Sequence, residues 1–220
     1  CVCANRLLVQ DGVYEAFAEK LAVAGAALKV GNGVDAGVTQ GPLIDQAAVA
    51  KVEALLADAT AKGARIVPIY PEAQGRRLPQ SLVLDVNDDM KLMQDEIFGP
   101  LLPVVPYERL DDAFAYVNAR PRPLALYYFG YDKREQQRVL HETHSGGVCL
   151  NDTLLHVAQD DMPCGGIGPS GMGHYHGHEG FLTFSKAKGV FIKQRFNAAR
   201  LIYPPYGKAI QKLVYKLFVR

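Results

Sequence analysis

Tryptophan is absent from the 220-residue chain, methionine occurs only four times, and neither sign of charge predominates. The 24 lysines and arginines nearly cancel the 23 aspartates and glutamates, leaving a formal net charge of +1. A chain so balanced lacks the basic field that holds a phosphate backbone, which argues against nucleic acid as a partner. No apolar run approaches the roughly 20 residues that a helix needs to cross a bilayer. The four cysteines, Cys1, Cys3, Cys149 and Cys164, are too few and too scattered for the disulfide framework of a small secreted domain. A reducing, cytoplasmic setting is the expectation. Heptads, internal repeats and low-complexity tracts are missing as well. No signal peptide is visible, and residue 1 is cysteine rather than methionine, so the chain is expected to be processed or cut from a longer one.

What is present is a soluble composition, 49% hydrophobic and 21% charged, arranged as alternating strand and helix patterns. Arg6 to Gln10 reads as a short buried strand. Asp11 is placed to cap a helix with Val13, Phe17, Leu21 and Leu28 inward. The turn-rich stretch 30–42 is a loop. Asp45 is expected to cap a second helix that turns Val49, Val52, Leu55, Leu56 and Ala59 inward and ends at Gly63. Strands are expected at ARIVPIY, broken by Pro68, and at SLVLDV, PLLPVVPY, LALYYFG and GGVCLN. Helices are expected from Leu110 and after Asp132, the latter carrying Val139 and Leu140. Apolar strands joined by helices predict an α/β fold, with a parallel sheet covered on both faces.

Several clusters bear chemistry. Gly166 to Gly171 formally matches GxGxxG, but a loop precedes it, Pro169 interrupts it and no acid follows at the right spacing, so a tight ordered loop is the better reading. His174, His176 and His178 alternate, with Glu179 beside them, which on a strand would put the histidines on one face and suggest a metal. No second set of ligands supports that, and no metal is expected. Cys1 and Cys3 read either as small buried hydrophobes or as a nucleophile and its neighbour. Glu96, in QDEIFGP, is by spacing alone an ordinary loop acid.

Taken together, four blocks resemble the NAD(P)-dependent aldehyde dehydrogenase superfamily, in that family's order along the whole chain. CVCANR is similar to the block around its catalytic cysteine, QDEIFGPLLPV to its E-x-F-G-P block, SGGVCLND to its G-x-V-x-x-N strand, and PCGGIGPSGMG to its P-F-G-G-x-x-x-S-G-x-G block. Residues 1 to about 66 resemble the succinate-semialdehyde type. The longer remainder resembles the coniferyl-aldehyde (class 3-like) type, with Tyr175-His176-Gly177 matching a family signature.

The resemblance implies the catalytic fold of that family, lacking its dinucleotide-binding domain. It implies a partial catalytic domain over 1–185 and a C-terminal segment over 186–220 with an oligomerisation strand and an amphipathic tail. Cys1 would be the nucleophile that attacks an aldehyde and becomes a thioester, with NAD or NADP taking the hydride. Glu96 would bind the nicotinamide ribose, Phe98 would pack by the ring, and Asn151 and Cys164 would belong to the substrate pocket. Cys164 departs from the family's usual phenylalanine. Cys3 matches a cysteine that in the succinate-semialdehyde type forms a reversible disulfide with the nucleophile. The substrate would be a small-molecule aldehyde, aromatic such as coniferyl aldehyde or long-chain, and the full-length protein a homo-oligomer, expected to be a dimer. The family's general base lies upstream of the nucleophile, so the isolated chain is expected to be inactive. Two alternatives stay open: an N-terminal-cysteine hydrolase and a non-catalytic assembly module.

The tail AIQKLVYKLFVR places Ile210, Leu213, Val214, Leu217 and Phe218 on one helical face, with Lys208, Lys212, Lys216 and Arg220 elsewhere. Such a basic amphipathic helix either packs on protein or makes peripheral contact with an anionic membrane.

Overall fold

A computed structural model of the chain describes residues 2–69, 74–193 and 195–218. Two compact units are present, Cys1–Thr183 and Phe184–Arg220. The first is built on a four-stranded sheet of β1 (Leu7–Gln10), β2 (Arg65–Pro68), β3 (Ser81–Leu84) and β4 (Leu101–Tyr107), in the order β1-β4-β3-β2. β4 runs parallel to both of its neighbours, Leu7 facing Val104 and Ser81 facing Leu101. β2 pairs antiparallel with β3, Arg65 opposite Leu84, so the sheet is mixed at that edge. A separate parallel pair joins β5 (Ala125–Tyr128) to β6 (Gly147–Leu150), with Tyr127 opposite Cys149.

Both faces of the larger sheet are buried, and the pleat divides them. Leu82 and Leu84 of β3 and Val104 of β4 face a core shared with α1 (Tyr14–Ala26); Val83 and Leu101 face one shared with α2 (Gln46–Ala61). Alternate residues of one strand therefore serve two cores, which is why the strand reads as continuously apolar. α2 forms as its sequence directs. The Asp45 carboxylate accepts from Ala48 N–H at 2.7 Å, and Val49, Val52, Leu55 and Ala59 are buried along one stripe. Each such Val or Leu contributes about 1.5–3 kcal/mol on burial. Gly63 follows at φ +93°, a conformation that disfavours any side chain.

α1 departs from expectation. A 3-10 turn over Asp11–Val13 precedes it, and no side chain caps it. Its buried residues are Tyr14 and Ala18, whereas Val13 and Phe17 are exposed. The reason is polar: the Tyr14 hydroxyl donates to Val104 O (3.1 Å) and accepts from Asp85 N–H (3.2 Å), so this ring outcompetes the purely apolar neighbours for the inward face. Burial raises the Tyr14 pKa, partly opposed by the Asp85 hydrogen bond.

α3 (Leu110–Asn118) buries Ala113 and Phe114, and α4 (Lys133–Glu142) is capped by Asp132, whose carboxylate accepts from Arg134 N–H at 2.7 Å. Val139 is buried and Leu140 is exposed. The histidine cluster forms no strand. It turns at His176, φ +73°, into α5 (Gly177–Thr183), so the alternate-face geometry a metal would need does not arise. Among the described residues no group of three or more His, Cys, Asp or Glu could hold a metal ion.

The second unit contains a 3-10 turn at Ala198–Ile202 and α6 (Ala209–Phe218). Residues 186–193 form no strand within the single chain. In α6 the buried residue is Gln211, whose amide donates to Tyr203 O (3.0 Å) and accepts from Lys208 N–H (3.1 Å). Leu213, Leu217 and Phe218 are exposed. No helix among the described residues is long and apolar enough to cross a membrane.

Candidate active site

Cys1 lies outside the described residues, which begin at Val2. Four side-chain hydrogen bonds hold the segment that follows Cys1 in place. The Tyr127 hydroxyl, on β5, donates to Val2 O. Asn5 Oδ1 accepts from Ile97 N–H at 3.2 Å. The Arg6 guanidinium donates to Met93 O (2.9 Å) and to the Tyr116 hydroxyl (3.1 Å). Cys3 is exposed, and its thiol's recorded neighbour is Ala4 O at 3.8 Å.

Asn5 brings the cysteine segment onto the loop that carries Glu96 and Phe98. That loop is fixed independently from α2, where Lys51 Nζ donates to Glu96 O at 2.6 Å. Ile97 between them is buried in the α2 core. Phe98 sits at φ +45°, an uncommon conformation for an aromatic, and 64% of it is exposed. Gly99 must lack a side chain, because a Cβ there would overlap Val52 Cγ2. The backbone is thus clamped while the Glu96 carboxylate and the Phe98 ring face outward. Among the described residues that carboxylate carries no hydrogen bond, leaving two acceptor oxygens of the kind a vicinal diol requires.

Asn151, at the end of β6, has φ +59° and both ends of its amide engaged: Oδ1 accepts from Gly130 N–H (2.8 Å) and Nδ2 donates to Gly130 O (3.1 Å). Its own N–H donates to Tyr128 O at 2.7 Å. It holds the ends of β5 and β6 together, and its polar atoms are directed to that task. Cys164 is 7% exposed and exchanges both backbone bonds with Tyr175 at 2.9 Å. Its sulfur beside the Tyr175 hydroxyl raises the tyrosine pKa. The glycine run that follows is a tight turn: a Cβ at Gly165 would strike Gly173 O, and one at Gly166 would strike Ser170 O. The structure therefore joins the cysteine segment to the loop of Glu96 and Phe98, ties the same segment to β5, and places Cys164 against Tyr175.

A further group was not anticipated. Cys149 and His156 are buried together, with Sγ 3.2 Å from Nδ1, and the His156 N–H donates to the same sulfur at 3.4 Å. Burial lowers the His156 pKa. The imidazole meets the Tyr127 ring edge-on at 5.8 Å, and Gly147 makes room for it, since a Cβ there would overlap His156 Cδ2. Neither the Asn5 nor the Tyr127 contact has a local sequence signal, as they span 92 and 125 residues.

The model of the aldehyde dehydrogenase family matches residues 1–190. A probable coniferyl aldehyde dehydrogenase of Pseudomonas aeruginosa is 77% identical over 178 residues, 81% of this chain and 37% of that protein. The crystal structure of an E. coli NADP dependent enzyme superposes with a TM-score of 0.77 at 41% identity, covering 82% of this chain and 37% of that one. A betaine aldehyde dehydrogenase of Staphylococcus aureus, in complex with NAD+, superposes with a TM-score of 0.77 at 29% identity over 84% of this chain and 37% of its own. The chain spans a little over a third of the length of the curated relatives it matches.

Proposed function

Because the chain belongs to the aldehyde dehydrogenase family, we propose that it is the carboxy-terminal catalytic part of a longer enzyme that oxidises an aldehyde to a carboxylic acid. Coniferyl aldehyde or a related aromatic aldehyde is the substrate class supported by the 77% identity to a relative of that name. Cys1 is the nucleophile: its thiolate adds to the aldehyde carbon, and the thioester left on its sulfur is hydrolysed by water to release the acid. The carrying observation is the Asn5–Ile97 bond, which fastens the segment beginning at Cys1 to the loop of Glu96 and Phe98.

A nicotinamide dinucleotide, NAD or NADP, supplies the hydride acceptor when bound. The exposed Glu96 carboxylate and Phe98 ring fit its ribose diol and its planar ring. Clamping by Lys51, Asn5 and the crowded Gly99 fixes their backbone before a ligand arrives, so less ordering is lost on binding. Neither comparison structure separates NAD from NADP for this chain, since one is of an NADP dependent enzyme and the other holds NAD+. The 220 residues alone are inactive on this reading, because a general base and a dinucleotide-binding domain lie in the remainder.

The second unit supports assembly. α6 exposes Leu213, Leu217 and Phe218, and their burial against a second subunit in a dimer removes apolar surface from water; contact with an anionic membrane is the alternative. Steady-state assays of the longer protein test the reading. Wild type should reduce NAD or NADP with coniferyl aldehyde at higher kcat/KM than with succinate semialdehyde, and Cys1→Ser should abolish turnover. Full activity in Cys1→Ser would refute it.

A further inference from the structure

We propose that Tyr127 is a positioning residue for the nucleophile, its hydroxyl holding the peptide next to Cys1 in the reactive arrangement. The proposal rests on the reading of Cys1 given above. Tyr127 lies in the middle of β5, opposite Cys149 on β6. Its ring is fixed from behind by His156, which is buried and bonded to Cys149. Gly147, one strand residue before Val148, admits that imidazole because it has no side chain. The ring therefore has little freedom, and its hydroxyl reaches out of the small sheet to donate to Val2 O.

The backbone N–H of Leu154 lies near the same hydroxyl, where it lowers the phenol's pKa against the larger, raising effect of burial. That places it at a three-way junction of the cysteine segment, β5 and the loop from Asn151 to His156. The loop is itself pinned at both ends, by the Asn151 amide on Gly130 and by His156 on Cys149. Leu154 in that loop is held at φ +65°, an uncommon conformation for a residue with a side chain. Burial raises the phenol's pKa further above neutrality, and the protonated hydroxyl is the state that donates.

Asn5 and Arg6 anchor the far end of the segment to the loop of Glu96 and to Met93. Tyr127 anchors the near end, one residue from the nucleophile. Its loss frees that end alone, so the dinucleotide side stays intact while the sulfur loses its aim. Misplacement of a reacting group by about 1 Å costs on the order of a hundredfold in rate. The neighbouring Tyr128 provides an internal comparison: its hydroxyl donates to Glu135 at 2.6 Å and, among the described residues, bonds to none of the cysteine segment.

The test uses the longer protein with Tyr127→Phe, Tyr128→Phe and Cys1→Ser. Tyr127→Phe keeps the ring against His156 and removes only the hydroxyl. The expected result is a kcat lower by about ten- to a hundredfold, with the dinucleotide KM and the melting temperature unchanged. The rate of Cys1 alkylation by iodoacetamide should fall at neutral pH. Tyr128→Phe should behave as wild type. A wild-type kcat and alkylation profile in Tyr127→Phe would overturn the proposal, as would an equal loss in Tyr128→Phe. If instead Cys1→Ser retains full activity, the underlying reading of Cys1 fails, whatever Tyr127 does.

Discussion

Asn5→Ala isolates the bond that joins the two halves of the candidate site. In the wild type, Asn5 Oδ1 is the acceptor for the Ile97 N–H at 3.2 Å, and Ile97 is 2% exposed within the core against α2. Alanine removes the acceptor but leaves the donor buried, and an orphaned buried donor costs about 1–3 kcal/mol. At the middle of that range, a domain of this size should lose about 4–8 °C in Tm. The same change frees the backbone between Glu96 and Phe98, so the dinucleotide KM should rise more than the aldehyde KM. Asn5→Asp keeps an acceptor in place and should recover at least half of both losses. The assays are thermal unfolding by circular dichroism, since the chain has no tryptophan to report, and initial-rate kinetics of the longer protein. Wild-type Tm and wild-type dinucleotide KM in Asn5→Ala would refute the reasoning. Equal damage in both variants would show that the acceptor oxygen is not what matters.

Gly99→Ala drives a methyl group into Val52 Cγ2 within a closed core, so overpacking should cost about 1–3 kcal/mol and weaken dinucleotide binding through Phe98; calorimetric melting and dinucleotide titration measure the two effects. Asp45→Ala deletes the cap that receives Ala48 N–H and should lower stability by about 1 kcal/mol, with kcat unaffected, as read from urea midpoints and turnover. His156 titrates below the ordinary histidine value because burial disfavours its charged form. The folded state then binds fewer protons than the unfolded state between the lowered pKa and about 6.5, so its contribution is fully present above about pH 6.5 and is lost as pH falls through that window. Melting curves between about pH 7.5 and 5 should show this acid loss in wild type and its disappearance in His156→Gln.

Where one helix turn carries all the information, the sequence was enough to read. α2 follows from Asp45 and the spacing of Val49, Val52, Leu55 and Ala59, because cap and stripe are both local. The face of α1 was misjudged, because apolarity ranked Val13 and Phe17 above Tyr14, and the partners that draw the Tyr14 hydroxyl inward lie on β4 and just beyond β3. The direction of β2 was equally hidden. An apolar strand looks the same whichever way it runs, and the mixed edge depends on the path of the connecting chain. That β5 and β6 form their own sheet also has no counterpart in a hydrophobicity pattern.

The candidate site shows the same division more sharply. Glu96, taken alone, is an acid in a loop, and it became a site residue through resemblance to a family block. The structure adds a physical reason for the block to persist as a unit: Lys51 takes the Glu96 carbonyl, Asn5 takes the Ile97 N–H, and Val52 forbids a side chain at Gly99. Each of these constraints acts on the backbone, so together they set where the carboxylate and the ring project without touching either. Tyr127 does the equivalent for the cysteine segment from the opposite side. On the proposed reading, the nucleophile and the loop of Glu96, about 95 residues apart in sequence, are thereby registered through main-chain atoms.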